Sequence, residues 1–314
     1  MQIAVVGAGV AGLSAARRLS DQGHTITVFD KGRSLGGRLS TRAHGELRFD
    51  HGAPHVHADR PAFSHLLDQL KAAGSAEVWP SDQPNSVTGL PSMNTLLAPL
   101  TRDLELVTST AISSVVRGAD GWTLGIDGGT PRTGFDAVVI AIPAEQADTL
   151  TATLGLGWSE HLGAVTYDPC MTMMVAFTEP AAISDSALPR PGHDLAKQVR
   201  NSAKPDRPDA PDQWVVHADL AWSQLHLNTS KEEIADALLE RFAAANAISL
   251  PEYAYVAGHR WRFARVANAM GRSHLYDPAL KIGVAGDWCL GPNAEHAFES
   301  GLLLADTIAT DLAR

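Results

Sequence analysis

The chain has 314 residues, 45% of them hydrophobic and 19% charged, with a formal net charge of -10. That composition excludes a disordered or fibrous chain, and the acidic surplus argues against broad binding to nucleic acid or an anionic membrane. No apolar run approaches the ~20 residues of a bilayer span, and the first residues enter a strand instead of a basic leader. A cytoplasmic protein is therefore expected, with neither nucleic acid nor membrane as a partner.

The first element is an apolar run from Ile3 to Val6, which turns through Gly7, Gly9 and Gly12 into a helix reaching Leu19. A second alternating run, "HTITVFD", follows the helix stop Gly23. Strand, helix and strand around glycines at this spacing form a dinucleotide-binding unit. Gly7 makes the tight turn, and Gly9 lets backbone N–H groups, with Val10 and Ala11 behind it, approach a pyrophosphate at the helix N-terminus. Gly12 lets helix and strand pack closely, and Asp30 closes the second strand where ribose hydroxyls would be met. Six residues on, after Lys31, comes "GGR", Gly36 to Arg38, which sets bare backbone beside a fixed cation.

Beyond it, "ELRFDHGAPHVHA" predicts a short strand and loop, "PAFSHLLDQLKAAG" an amphipathic helix closed by Gly74, and "GLPSMNTLLAPLT" the start of another helix. The segment from Ala111 to Pro143 predicts a three-stranded meander returning to a buried strand, Ala137 to Ile142. The middle of the chain changes texture. Strands "MTMMVAF", "AKQVRNS" and "QWVVHAD" alternate with proline-rich loops, "KEEIADALLERFAAAN" is a helix capped by Thr229 or Ser230, and "EYAYVAGHRWRFARV" is another strand. A mostly antiparallel sheet under a helix is expected. "KIGVAGDW" and the helix "NAEHAFESGLLLADTIATDLA" then return to the first unit. The fold class is α/β: a Rossmann-type domain with a discontinuous path (1–53, 89–143, 265–314) and an α+β substrate domain (54–88, 144–264).

The glycine motif, "GGR", "DAVVIAIP" and "AGDW" before a helix containing "FESG" together resemble the FAD-containing amine oxidase superfamily. Within it, "DKGRSLGGRLSTR", "FDHGAPHV", "GHRWRFA" and "GDWCLGPNAEHAFESG" are similar to the renalases, bacterial ones especially. The resemblance implies noncovalent FAD. Gly36 and Gly37 would lie against its pyrophosphate and ribityl chain and Arg38 would neutralise phosphate charge. Asp30 would hold the adenosine ribose and the backbone at Ile112 would meet the adenine. His51, Gly52 and Ala53 would run beside the flavin ring, and Gly286 and Asp287 would bind the ribityl or phosphate part. Glu295, His296 and Ala297 would open the last helix toward the pyrimidine edge. This chain has Glu-His-Ala where Glu-Gly-Ala is frequent, and Asp30 where a glutamate is frequent. Cys289 does not resemble the cysteine segment of covalent monoamine oxidases, and neither it nor Cys170 has redox-pair or metal-ligand spacing.

The resemblance further implies oxidation of 2- and 6-dihydro isomers of NAD(P)H to NAD(P)+, with O2 reduced to H2O2. Trp288, Trp222, Trp261 and His259 are candidates to stack on the nicotinamide. Arg190, Lys197, Arg200, Lys204 and Arg207 are candidates for the substrate's phosphates at an entrance. An amine oxidase and a non-redox flavin- or nucleotide-binding protein remain open alternatives.

Overall fold

The computed structural model describes residues 1–79, 85–183 and 193–313. The chain begins as its pattern predicts, with β1 (Gln2–Val6), α1 (Val10–Asp21) and β2 (Thr25–Phe29), followed by a two-stranded ribbon, β3 (Arg42–His44) and β4 (Leu47–Phe49). Helix α2 (Pro61–Ala72) starts on a proline, tolerated because a first-turn N–H has no helical acceptor, and is closed by Gly74 at φ +74°. Strands β5 (Ala76–Val78), β6 (Val87–Gly89) and β7 (Glu105–Val107) follow. The helix expected from "GLPSMNTLLAPLT" is instead two 3-10 turns, Met93–Thr95 and Ala98–Thr101. Pro99 lacks the N–H that a continuing helix would need.

The predicted meander is β8 (Ile112–Gly118), β9 (Gly121–Ile126) and β10 (Arg132–Phe135), and it feeds β11 (Ala137–Ile140). After α3 (Ala144–Thr151) and α4 (Ser159–Gly163) come β12 (Thr166–Phe177), β13 (Leu195–Arg200), β14 (Asp212–Ala218), α5 (Leu220–Leu225), α6 (Lys231–Asn246) and β15 (Tyr253–Asn268). Ser230, not Thr229, caps α6: its Oγ accepts from Glu233 N while the Glu233 carboxylate accepts from Ser230 N, a reciprocal box that satisfies two orphan donors. The chain closes with β16 (Leu275–Asp277), β17 (Ile282–Val284) and α7 (Ala294–Leu312).

Among the described residues, one sheet runs β16-β17-β11-β1-β2-β7, parallel except at β16, and a second runs β13-β14-β12-β15, wholly antiparallel. The Rossmann-like unit is thus completed by the C-terminal strands, and α7 packs along α1. That contact is close: a Cβ at Gly301 would fall 2.1 Å from the Ala11 carbonyl oxygen. Residues 54–88 do not divide as their sequence suggests. Phe63, Leu66, Leu67 and Leu70 of α2 share a buried cluster with Leu13, Val139 and Leu304, so α2 packs with the nucleotide unit. Ala144, Ala147, Leu150 and Leu162, from α3 and α4, likewise pack with Val138 and Val284. Their apolar faces meet the nearest uncovered face of the parallel sheet, a tertiary choice that no local pattern encodes.

One buried carboxylate joins the two sheets. Asp50 Oδ1 accepts from Thr41 Oγ1 at 2.6 Å and Met93 N at 3.0 Å, and Oδ2 accepts from Lys204 Nζ at 2.8 Å and Arg207 Nη2 at 2.9 Å. Burial alone would raise its pKa, but the two cations and the hydrogen bonds hold it well below the usual carboxylate range. Lys204 and Arg207 are therefore structural and do not serve a substrate at an entrance; Arg200 pairs with Asp212 at 2.6 Å, and Arg190 lies outside the described residues. Removing one member of a buried ion cluster leaves uncompensated charge, at a cost of about 3–5 kcal/mol. Asp50→Asn should lower the unfolding free energy by that order in urea titration, and an unchanged midpoint would refute the role.

Candidate active site

Residues expected to hold a dinucleotide form one continuous strip. A Cβ at Gly7, φ +110°, would sit 2.4 Å from the Ala141 carbonyl oxygen, and one at Gly12 would sit 1.8 Å from the Gly7 oxygen, so the fold itself demands both glycines. Gly9 is different. A Cβ there would meet only Gly37 Cα, at 4.0 Å, and one at Gly37 would point back at Gly9 Cα, at 3.3 Å. The two bare α-carbons face each other where α1 begins, and its first-turn N–H groups, including Val10 and Ala11, lack helical acceptors. A gap that Cβ atoms would fill, lined by free N–H donors, fits a pyrophosphate.

At one end of the strip, Asp30 Oδ2 accepts from Ala8 N at 2.7 Å and Oδ1 from Gly32 N at 2.6 Å, while the Asp30 carbonyl accepts from Thr110 N. Asp30 therefore braces the glycine loop and keeps lone pairs for ribose hydroxyls, and Ile112 stands two residues beyond Thr110. Lys31 turns away to Gln146 Oε1 at 3.0 Å. At the other end, Gly36 N donates to Ala8 O, and Ala53 N donates to Arg38 O at 2.9 Å. A Cβ at Gly52 would lie 2.0 Å from that same oxygen, so "DHGA" runs directly along "GGR". Arg38 Nη2 pairs with Asp287 Oδ1 at 2.6 Å, joining two expected flavin contacts 249 residues apart. The Arg38 side chain is 35% exposed and Asp287 4%, which leaves Arg38 donors for a phosphate or sugar oxygen.

Other expectations are corrected. Trp288 is 1% exposed in a core with Val6, Ile140 and Cys289, and its Nε1 donates to Ile142 O at 3.0 Å; its ring cannot stack on a substrate. Trp222 is likewise in a core, beneath Met171, Val216 and Leu238. Glu295 is spent on α2: its carboxylate accepts from Asp59 N at 3.0 Å and Arg60 N at 3.2 Å, satisfying donors at that helix start. His296 folds back, its Nδ1 accepting from Asn293 N at 3.2 Å in a capping box, so its ring is engaged at the start of its own helix. Ala297 is buried in the core below it, and Gly286 N donates to Ser300 Oγ.

Trp261 and His259 do reach the strip. On β12, Thr172 pairs with His217 of β14 and His259 of β15, and Lys197 of β13 lies beyond His217, so Lys197, His217, Thr172 and His259 form a row across the sheet. Cys170 and Trp261 form the next row. His51 lies on both rows: its ring is 4.7 Å from His259 and 5.2 Å from Trp261, Trp261 Nε1 donates to its carbonyl at 3.0 Å, and His217 Nε2 stands 3.4 Å from the same oxygen. Burial pushes His51 and His217 down to about 4 and His259 to about 3, with nearby cations contributing. Three uncharged imidazoles thus stand beside "DHGA". His217 and Thr172 escaped the sequence reading, and Cys170 was weighed there only as a redox or metal thiol, although polar residues at alternate positions of buried strands mark such a face.

Gly12→Ala should destabilise the protein with or without cofactor, whereas Gly9→Ala should leave the thermal midpoint of the flavin-free protein nearly unchanged and lose flavin on gel filtration. Equal flavin occupancy in Gly9→Ala and wild type would remove the cradle. The imidazoles set a pH dependence. An unfolded histidine titrates near pH ~6.5, so between there and about pH 4 the unfolded chain binds more protons than the folded one. Stability is complete above that window and falls as pH drops through it. His217→Gln should flatten the slope of unfolding free energy against pH, and an unaltered slope would contradict this assignment.

Residues 5–70 match the NAD(P)-binding Rossmann-like domain, and residues 86–309 match flavin containing amine oxidoreductases. A 4,4'-diapophytoene desaturase of Staphylococcus aureus (strain Newman) is 48% identical over 52 residues, which is 17% of this chain and 10% of the desaturase. A protein of Exiguobacterium sp. 255-15, provisionally named a protoporphyrinogen oxidase, superposes with a TM-score of 0.73 at 14% identity, covering 100% of this chain and 99% of that one. At that identity the likeness shows the fold alone. The family match takes in well over half of the chain and contains Asp287 and the antiparallel sheet, while the nucleotide-binding match contains the cradle and Arg38. The chain belongs to the flavin containing amine oxidoreductase family.

Proposed function

We propose that the protein is an oxidase with noncovalent FAD, acting on 2- and 6-dihydro isomers of NAD(P)H to give NAD(P)+ and H2O2, the renalase-like reading of its sequence. The observation that carries it is the composition of the wall opposite His51. Its two cross-strand rows, Lys197-His217-Thr172-His259 and Cys170-Trp261, hold uncharged and cationic groups and no carboxylate. Asp50, the chain neighbour of His51, is already held by Lys204 and Arg207.

Among the described residues, these two rows offer a protonated amine no carboxylate of their own. Imidazoles held at about 3 to 4 are also far too weak as bases to take a proton from it. A dihydropyridine needs no base, because loss of its hydride directly leaves an aromatic cation. When bound, FAD would supply the hydride acceptor and pass the two electrons to O2. The protein's part is orientation: Trp261, fixed by its bond to His51 O and wedged against His51 and His259, offers a flat wall on which a nicotinamide can lie. Noncovalent attachment is supported by the thiols. Cys289 is buried in a core and pushed up to about 12, and burial likewise pushes Cys170 up to about 11.

Anaerobic mixing of the oxidised protein with 2-dihydro, 6-dihydro and ordinary 4-dihydro dinucleotides and with a panel of amines would decide the matter by flavin bleaching. Rapid bleaching by one or both unusual isomers is expected, with the rest slow. Rapid bleaching by amines and none by either isomer would overturn the proposal.

A further inference from the structure

Arg42 has no function in any of the foregoing, and its position calls for one. It opens β3 opposite Phe49 of β4, so the two side chains share one face of the ribbon. That face lies on the antiparallel sheet: Phe49 is buried against Met174, Ala176 and Val215, and His44, two residues along β3, stacks on Tyr255 at 4.3 Å. Tyr255 and His259 lie on one face of β15, so the ribbon crosses the sheet beside the histidine chamber, with Arg42 at the chamber's end of β3. The Arg42 charge is close enough to disfavour protonation of both His51 and His259.

Arg42 is half-buried and, among the described residues, has no hydrogen-bond or ion-pair partner. His51 is 6% exposed, and its Nδ1 is buried with no partner. An unpaired guanidinium held partly out of water costs free energy unless an anion meets it. The adjoining rows contribute Lys197 and neutral imidazoles, which can donate N–H bonds but add no negative charge.

We propose that Arg42, with the imidazoles of His51 and His259, forms an anion subsite that holds a phosphoryl group of a nucleotide substrate while its planar ring lies against Trp261. This deepens the reading above, and rests on it for the identity of the ring. It also moves the phosphate contact from the 190–207 segment, whose Lys204 and Arg207 are locked on Asp50, to the ribbon. A guanidinium presents paired N–H donors to phosphate oxygens, so lysine would replace it only in part.

Calorimetric titration of the flavin-loaded protein with NAD+, inorganic pyrophosphate and nicotinamide riboside tests the subsite without turnover. Arg42→Gln should weaken NAD+ and pyrophosphate binding about tenfold or more, as loss of a charged hydrogen bond implies. Riboside binding should stay within about twofold, flavin occupancy should be unchanged, and Arg42→Lys should recover part of the loss. Unchanged NAD+ and pyrophosphate affinity in Arg42→Gln would overturn the proposal, as would failure of the wild type to bind either. An equal loss for the riboside would also overturn it, because Arg42 would then be shaping the chamber and not meeting phosphate. If Arg42-dependent pyrophosphate binding is found while neither dihydro isomer bleaches the flavin, the subsite stands and the hydride-donor reading falls.

Discussion

The arrangement depends on the carboxylate of Asp50. Its four hydrogen-bond donors come from the loop after "GGR", from a 3-10 turn, and from two cations of the segment that links β13 to β14. The next residues along the chain are His51, Gly52 and Ala53, which face the strip on one side and the histidine rows on the other. Asp50 therefore fixes the height and angle of the segment where cofactor and substrate would meet. A buried ion cluster is a weak way to gain stability compared with apolar packing, but it specifies geometry well, because carboxylate oxygens accept in few directions. Here the constraint serves position.

The same economy appears in the strip. Asp30 braces the glycine loop through two backbone N–H groups, and Asp287 holds Arg38. Both acids were expected to serve the cofactor alone, yet both preorganise the protein's own donors. A site whose cations and N–H groups are already held in place loses less freedom when a ligand arrives.

How much of this could be read in the sequence depended on the range of the interaction. Strand-helix-strand around Gly7, Gly9 and Gly12, an N-cap at Thr229 or Ser230 and the meander are local patterns, and the structure has them, with Ser230 as the cap. The residues that the resemblance assigned to one cofactor are neighbours in the fold: Gly37 faces Gly9, and Asp287 of "AGDW" pairs with Arg38. Side-chain destinations were the weak point. Trp288 borders an expected flavin contact, yet the 3-10 turn Asp287–Cys289 carries its ring into a core. Glu295 and His296 were read as facing the cofactor, but helix ends have backbone groups to satisfy first, and these two residues satisfy them. Lys204 and Arg207 were candidates for a substrate's phosphates because their partner, Asp50, lies more than 150 positions away. The histidine chamber was half visible: His259 and Trp261 stood out, while His217 and Thr172 join them only through strand pairing.

The interlock of α1 with α7 also bears on the order in which the protein can be made. Gly301 lies against Ala11, and Asp287 reaches Arg38, so the beginning of the chain waits for the last fifth of it. During synthesis the glycine loop can form early, since its contacts are local, but the strip has no completed wall until β17 and α7 have left the ribosome. Contacts at such separation form late, because closing a long loop precedes any reward from it. A flavin held by the complete strip would be captured only after α7 has been made. Until then the growing polypeptide must keep the apolar face of α1 covered by other means, which makes this stage the one most exposed to aggregation.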